Sequence, residues 1–82
     1  MNLFIIFMPN GKKLLAERFP DAFVLEEDSL WVVGSDLPNS SSVKEHLTKY
    51  DANSIVVTRI ADYHGFYDPA LWQKINFWTS QH

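Results

Sequence analysis

The sequence predicts an α+β sandwich in the order β-α-β-β-α-β, with one further helix at about residues 69–78. Three observations predict it. The runs "LFIIFM" (3–8) and "LWVVGS" (30–35) are apolar without polar alternation, as strands covered on both faces read. The short polar link "EDS" (27–29), which begins on the last residue of "AFVLEE" (22–27), leads directly into the second of these runs, which makes the pair a hairpin. Segments with helical spacing fall after the first strand and after the hairpin. This succession is that of the split β-α-β, or ferredoxin-like, fold, whose first and third strands are the inner ones. Those are also the two most thoroughly apolar runs, so pattern and topology agree.

Each element has a local reason. "PNG" turns the chain after the first strand, and "KKLLAERF" forms a short helix with Leu15 and Phe19 one turn apart, stopped by Pro20. The first hairpin strand ends in carboxylates and reads as an edge. Ser42 and Glu45 stand in capping-box spacing at the head of "SVKEHLTKY", where Val43, Leu47 and Tyr50 share a stripe. "SIVVTRIA" (54–61) follows as a fourth strand, with Thr58 and Arg59 consistent with an edge. Asp68 before Pro69 is the ordinary start of a helix, a carboxylate acceptor at the N-cap and a proline where the missing N–H costs nothing.

At 82 residues the chain is a single domain, residues 1–82. A monomer of this size buries only about 60–65% of its unfolded surface, and with no cysteine there is neither disulfide nor thiolate metal site to add to the core. Self-association is the expected supplement. The content of 46% hydrophobic and 21% charged residues excludes disorder. A formal charge of −3, with the basic residues scattered, gives nucleic acid no evident basic patch and leaves that partner undecided. The opening apolar run is six residues long, has no basic residue before it and ends at Pro9, so it reads as a strand rather than a secretory signal. No run approaches the length of a membrane span, and the expectation is a cytoplasmic protein without a membrane partner.

Alternation along the inner strands places Leu3, Ile5 and Phe7 on one side and Phe4, Ile6 and Met8 on the other, and both sides are apolar. If two helices share one face, the opposite face needs a cover. Two covers are available: the C-terminal segment, with Leu71, Ile75 and Trp78 on one stripe, and a second copy of the chain. Phe4, Ile6, Trp31, Val33, Leu71, Trp72, Ile75 and Trp78 are therefore the candidate interface of a homodimer, and the segment packs either on its own sheet or on the partner's.

The stretch "IADYHGFYDPALWQKI" holds the remaining chemistry. Asp62 and His64 point to the same side where the fourth strand runs out, and are weak candidates for holding Mg or Mn and a water for phosphodiester attack. A metal site needs a third ligand, and nothing in the spacing of Asp36, His46 or His82 supplies one. The competing reading is a surface loop with His64 packed on Phe66. Gly65 allows a backbone angle that other residues resist. Lys12 and Lys13 after Gly11 read as a solvated turn rather than a phosphate site. Trp31, Trp72 and Trp78 lie among leucines and valines, which suits a core or interface better than base stacking. No residue is assigned to catalysis, to a cofactor or to a metal beyond the weak pair.

"SLWVV", "SSSVKEHL" and "SIVVTRIADYHGFYDPALWQKI" together resemble the small SinR-like proteins, which are related to CRISPR-associated protein two. The resemblance spans nearly the whole chain and rests on element order and on the strings "DSLWVV" and "IADYHGF". It implies a ferredoxin-like homodimer. In CRISPR-associated protein two, metal-dependent nuclease activity uses an aspartate at the end of the first strand, and the dimer also acts as a scaffold. Here that position falls within Phe7, Met8 and Pro9, which cannot ligate a hard cation, and Asn10 offers an oxygen without a charge. The expectation is a non-catalytic, dimerising binding or scaffold protein of bacterial or mobile-element type. The alternatives are a metal-dependent nuclease acting on RNA or DNA, and an antitoxin-like or regulatory module that binds a protein partner through its edge strands.

Overall fold

A computed structural model describes residues 1–48, 54–65 and 68–80. The order is β1 (Asn2–Phe7), α1 (Lys12–Arg18), β2 (Phe23–Glu26), β3 (Leu30–Ser35), α2 (Ser40–Thr48), β4 (Val56–Ile60) and α3 (Pro69–Thr79). The four strands form one antiparallel sheet in the order β2-β3-β1-β4. The two inner strands are the two runs that lack polar alternation, because only an inner strand buries both sets of its side chains.

Register fixes the faces. Phe4 lies opposite Val33 and Ile6 opposite Trp31, and the four pack with Met8 against Leu15 of α1 and Val43 and Leu47 of α2. This first face is closed within the chain. Phe4, Ile6, Trp31 and Val33 are thus not available to a partner as the sequence suggested: α1 and α2 lie over their parity, not over the parity of Leu3 and Ile5. Both parities are apolar, so hydropathy alone could not assign the helices to a side. On the second face, Leu71, Ile75 and Trp78 of α3 pack on Leu3 and Val32, so the C-terminal helix covers its own sheet.

The ends of the helices show how the polar groups are satisfied. The capping box expected at Ser42 is replaced by a cap at Asn39, whose Oδ1 accepts from the Ser42 N–H (2.9 Å) and hydroxyl (3.0 Å). α2 consequently starts at Ser40, with the Val43 N–H donating to the Asn39 carbonyl. Three consecutive serines leave the cap register open, and the asparagine before them sets it. Tyr50 lies outside the described residues. In α3, Asp68 Oδ1 accepts from the Ala70 N–H (2.8 Å) with Pro69 in the first turn, as the sequence predicts.

The β1–α1 turn and the hairpin tip hold each other. Asn10 and Asp28 adopt positive φ (61° and 59°), a region in which Asn and Asp are enriched, and the Asn10 N–H donates to the Asp28 carbonyl (2.9 Å). Asp28 Oδ1 also accepts from the Lys12 N–H (2.9 Å), so the hairpin satisfies the first amide of α1 where Gly11 has no side chain to do so. No helix among the described residues is long and apolar enough to cross a membrane.

Candidate functional site

α3 covers only part of the second face. Its last buried residue, Trp78, lies over Gly34, where a Cβ would run into the indole, so this end of the sheet is sealed by a close approach that only glycine permits. Toward the other end the helix leaves a groove of about 620 Å³. Ile5, Leu30 and Val32 line it from the sheet, and Leu71, Trp72 and Ile75 line it from α3. Beyond it, Phe7 is 43% exposed and Val56, its partner in the β1–β4 ladder, 59% exposed.

The segment after β4 supplies another wall. Tyr63, His64 and Gly65 all border the groove. The Tyr63 ring sits 5.8 Å from that of Trp72, which ties this segment to α3, and Gly65 turns the chain at φ 142° with open space around it. His64 therefore borders the groove while remaining exposed. Phe66, against which the sequence would pack it, lies outside the described residues.

Glu26 reaches the same groove through an irregularity in β2. Val24 pairs with Trp31 and Glu26 with Leu30, so two residues advance on β2 for one on β3. The extra residue resets the alternation, and Glu26 comes opposite the groove-lining Leu30. Sequence reading took this carboxylate for the polar end of an edge strand and missed the groove itself. The parity of Phe23, Leu25 and Ile60, all of which pack with α3's cluster, was the available signal for the floor, whereas a bulge in a short edge strand leaves little trace in hydropathy.

The expected metal pair fares as follows. Asp62 and His64 are both exposed, and only His64 borders the groove. Among the described residues no three of His, Cys, Asp and Glu come together as a metal-binding group. Asp36 and His46 border a different cavity, of about 340 Å³, where the His46 ring meets Phe19 edge-on at 5.5 Å. His82 lies outside the described residues. Lys12 is tied to Glu27 at 2.8 Å, and this hydrogen bond, with the charge of Glu27, raises its ammonium above the ordinary 10.5. The lysine pair therefore does not offer two free cations to a phosphate. Of the tryptophans, Trp31 is buried in the first core and Trp78 in the second, while Trp72 is half-buried at the groove.

What the arrangement offers chemically is an apolar recess with one carboxylate and one imidazole on its border. Comparison with family models, curated proteins and solved structures gives no match for this chain.

Proposed function

We propose that this chain is a non-catalytic binding module of ferredoxin-like topology that acts as a homodimer. One observation carries the reading: the second sheet face is closed by α3 at the Gly34 end and open at the Phe7 end, where two adjacent strands expose Phe7 and Val56. Soluble proteins seldom leave contiguous apolar surface uncovered without a partner. A second copy is the occupant proposed, because among the described residues β4 is an edge strand hydrogen-bonded only to β1, and a twofold contact through it would cover the Phe7–Val56 strip of both subunits. The ferredoxin-like assignment is supported by the antiparallel order β2-β3-β1-β4 and by α1 and α2 lying on one face.

The proposed kinship with SinR-like proteins and CRISPR-associated protein two rests on the strings quoted above. Its nuclease chemistry is not carried over, because Met8, near the position of that family's aspartate, is buried in the first core and serves packing. The test is sedimentation equilibrium across a wide concentration range. A mass twice the 9.5 kDa of the chain is expected, returning to 9.5 kDa in a Phe7→Asn/Val56→Lys variant. A parent that stays at 9.5 kDa throughout overturns the dimer. Labelled RNA and DNA incubated with magnesium or manganese test the rest. Cleavage lost in both Asp62→Ala and His64→Ala would replace the binding reading with the metal-dependent nuclease.

A further inference from the structure

The groove has a chemistry distinct from the strip beside it. Ile5, Leu30 and Val32 share one parity on two paired strands, so they present a continuous hydrocarbon floor. Trp72 supplies an aromatic wall. The volume of about 620 Å³ falls in the range of roughly 300–1,000 Å³ that small-molecule sites occupy. An extended peptide laid along a sheet edge would need none of this depth.

The charges around the groove have one sign. Glu26 borders it from β2, and among the described residues no lysine or arginine does. Asp62 lies beside Tyr63 on the loop, and Asp68 stands at the head of α3. The cations of neighbouring elements are engaged elsewhere: Lys12 with Glu27, Arg59 with Asn2 Oδ1 (3.1 Å), and Lys74 with the Asp21 carbonyl (3.1 Å) and the Trp78 ring. Among the described residues, the Tyr63 phenol and the His64 imidazole are the other titratable groups on the border. An anionic ligand would meet a carboxylate, and a neutral one would leave that carboxylate without a counter-charge.

We propose that this groove binds a small apolar molecule bearing a protonated amine, with its hydrocarbon on Ile5, Leu30 and Trp72 and its ammonium at Glu26. The inference rests on the reading of this face as a binding surface and names the ligand class it selects. Glu26 is exposed, so its contribution to head-group choice is that of a surface ion pair, about fivefold in affinity.

The full chain is titrated at pH 7 with octylamine, octanol and octanoate below their aggregation limits, followed by fluorescence and assigned to the groove by loss of the signal in Trp72→Phe. Octylamine should bind about fivefold tighter than octanol, and octanoate more weakly than both. Glu26→Gln should bring the amine to the level of the alcohol, and Glu26→Lys should reverse the order of amine and carboxylate. Leu30→Asn, which removes hydrocarbon from the floor without adding a charge, should weaken all three. Equal affinities for the three head groups, indifference to Glu26→Gln, or no saturable binding overturns the proposal. Circular dichroism confirms that the Glu26 variants, changed at an exposed position, remain folded. Self-association is read from mass and head-group preference from titration, so either reading can fail while the other stands.

Discussion

The two faces of the sheet start from nearly equal hydrophobicity and end in different states. The first is roofed by α1 and α2, and Phe4, Ile6, Leu15 and Leu47 in it are at most 1% exposed. The second has, among the described residues, α3 as its helical cover, which buries Leu3 and Val32 but leaves Ile5 and Leu30 beside an open groove. A strand apolar on both sides therefore says that two covers are wanted, not that both are complete. The incomplete cover leaves apolar side chains beside an open recess after the core has been satisfied.

The largest expected effect lies on the closed face. Phe4→Ala removes a fully buried ring from beneath two helices and should cost about 3–5 kcal/mol, a large share of the roughly 5–15 kcal/mol that holds a domain folded. Urea denaturation measures it. If that variant is unfolded from the outset, Ile6→Val at the same face should still show about 0.5–1.5 kcal/mol. A loss at Phe4 no greater than that of an exposed residue would break the contrast between the faces.

A smaller and more local effect is expected at Gly34. A methyl group there would overlap the Trp78 indole, a rigid ring packed on Leu3 and Val32, so α3 must shift or tilt. Gly34→Ala should cost about 1–3 kcal/mol, the usual range for overpacking, and should change tryptophan emission without disturbing the packing of α1 and α2. Unchanged stability and emission would mean that the seal at this end of the second face is looser than the geometry indicates.

How much of this was legible in sequence follows from the same two faces. Strand parity, the inner position of β1 and β3 and the Asp68–Pro69 start of α3 were readable, because alternation and capping are local rules. The assignment of Phe4, Ile6, Trp31 and Val33 to an open face was not, since Phe4 and Leu3, or Trp31 and Val32, are equally apolar and only tertiary packing decides which set the paired helices cover. Gly34 did carry a sign of close approach, an isolated glycine inside a strand. For the site, His64 was picked out from its place after the fourth strand, but its position on one groove border with Trp72 and Glu26 depends on a bulge and on where α3 crosses the sheet. Neither is written in local spacing.

The smallest expected effect separates the stability of α3 from that of the domain. Asp68 Oδ1 holds the Ala70 N–H at 2.8 Å on the exposed start of the helix, and its charge also suits the positive end of the helix dipole. Replacing it with alanine should cost about 1 kcal/mol, as loss of an N-cap usually does. If the second face is the weaker of the two, this cost falls mainly on local opening: native-state hydrogen exchange should accelerate in α3 while amides of β1 and β3, which lie under α1 and α2 as well, keep their rates in conditions where exchange proceeds through sub-global opening. Uniform acceleration through the sheet would instead show that α3 and the first core open together. The half-covered face would then be as firmly held as the closed one, and the groove would be a fixed recess in a single cooperative unit.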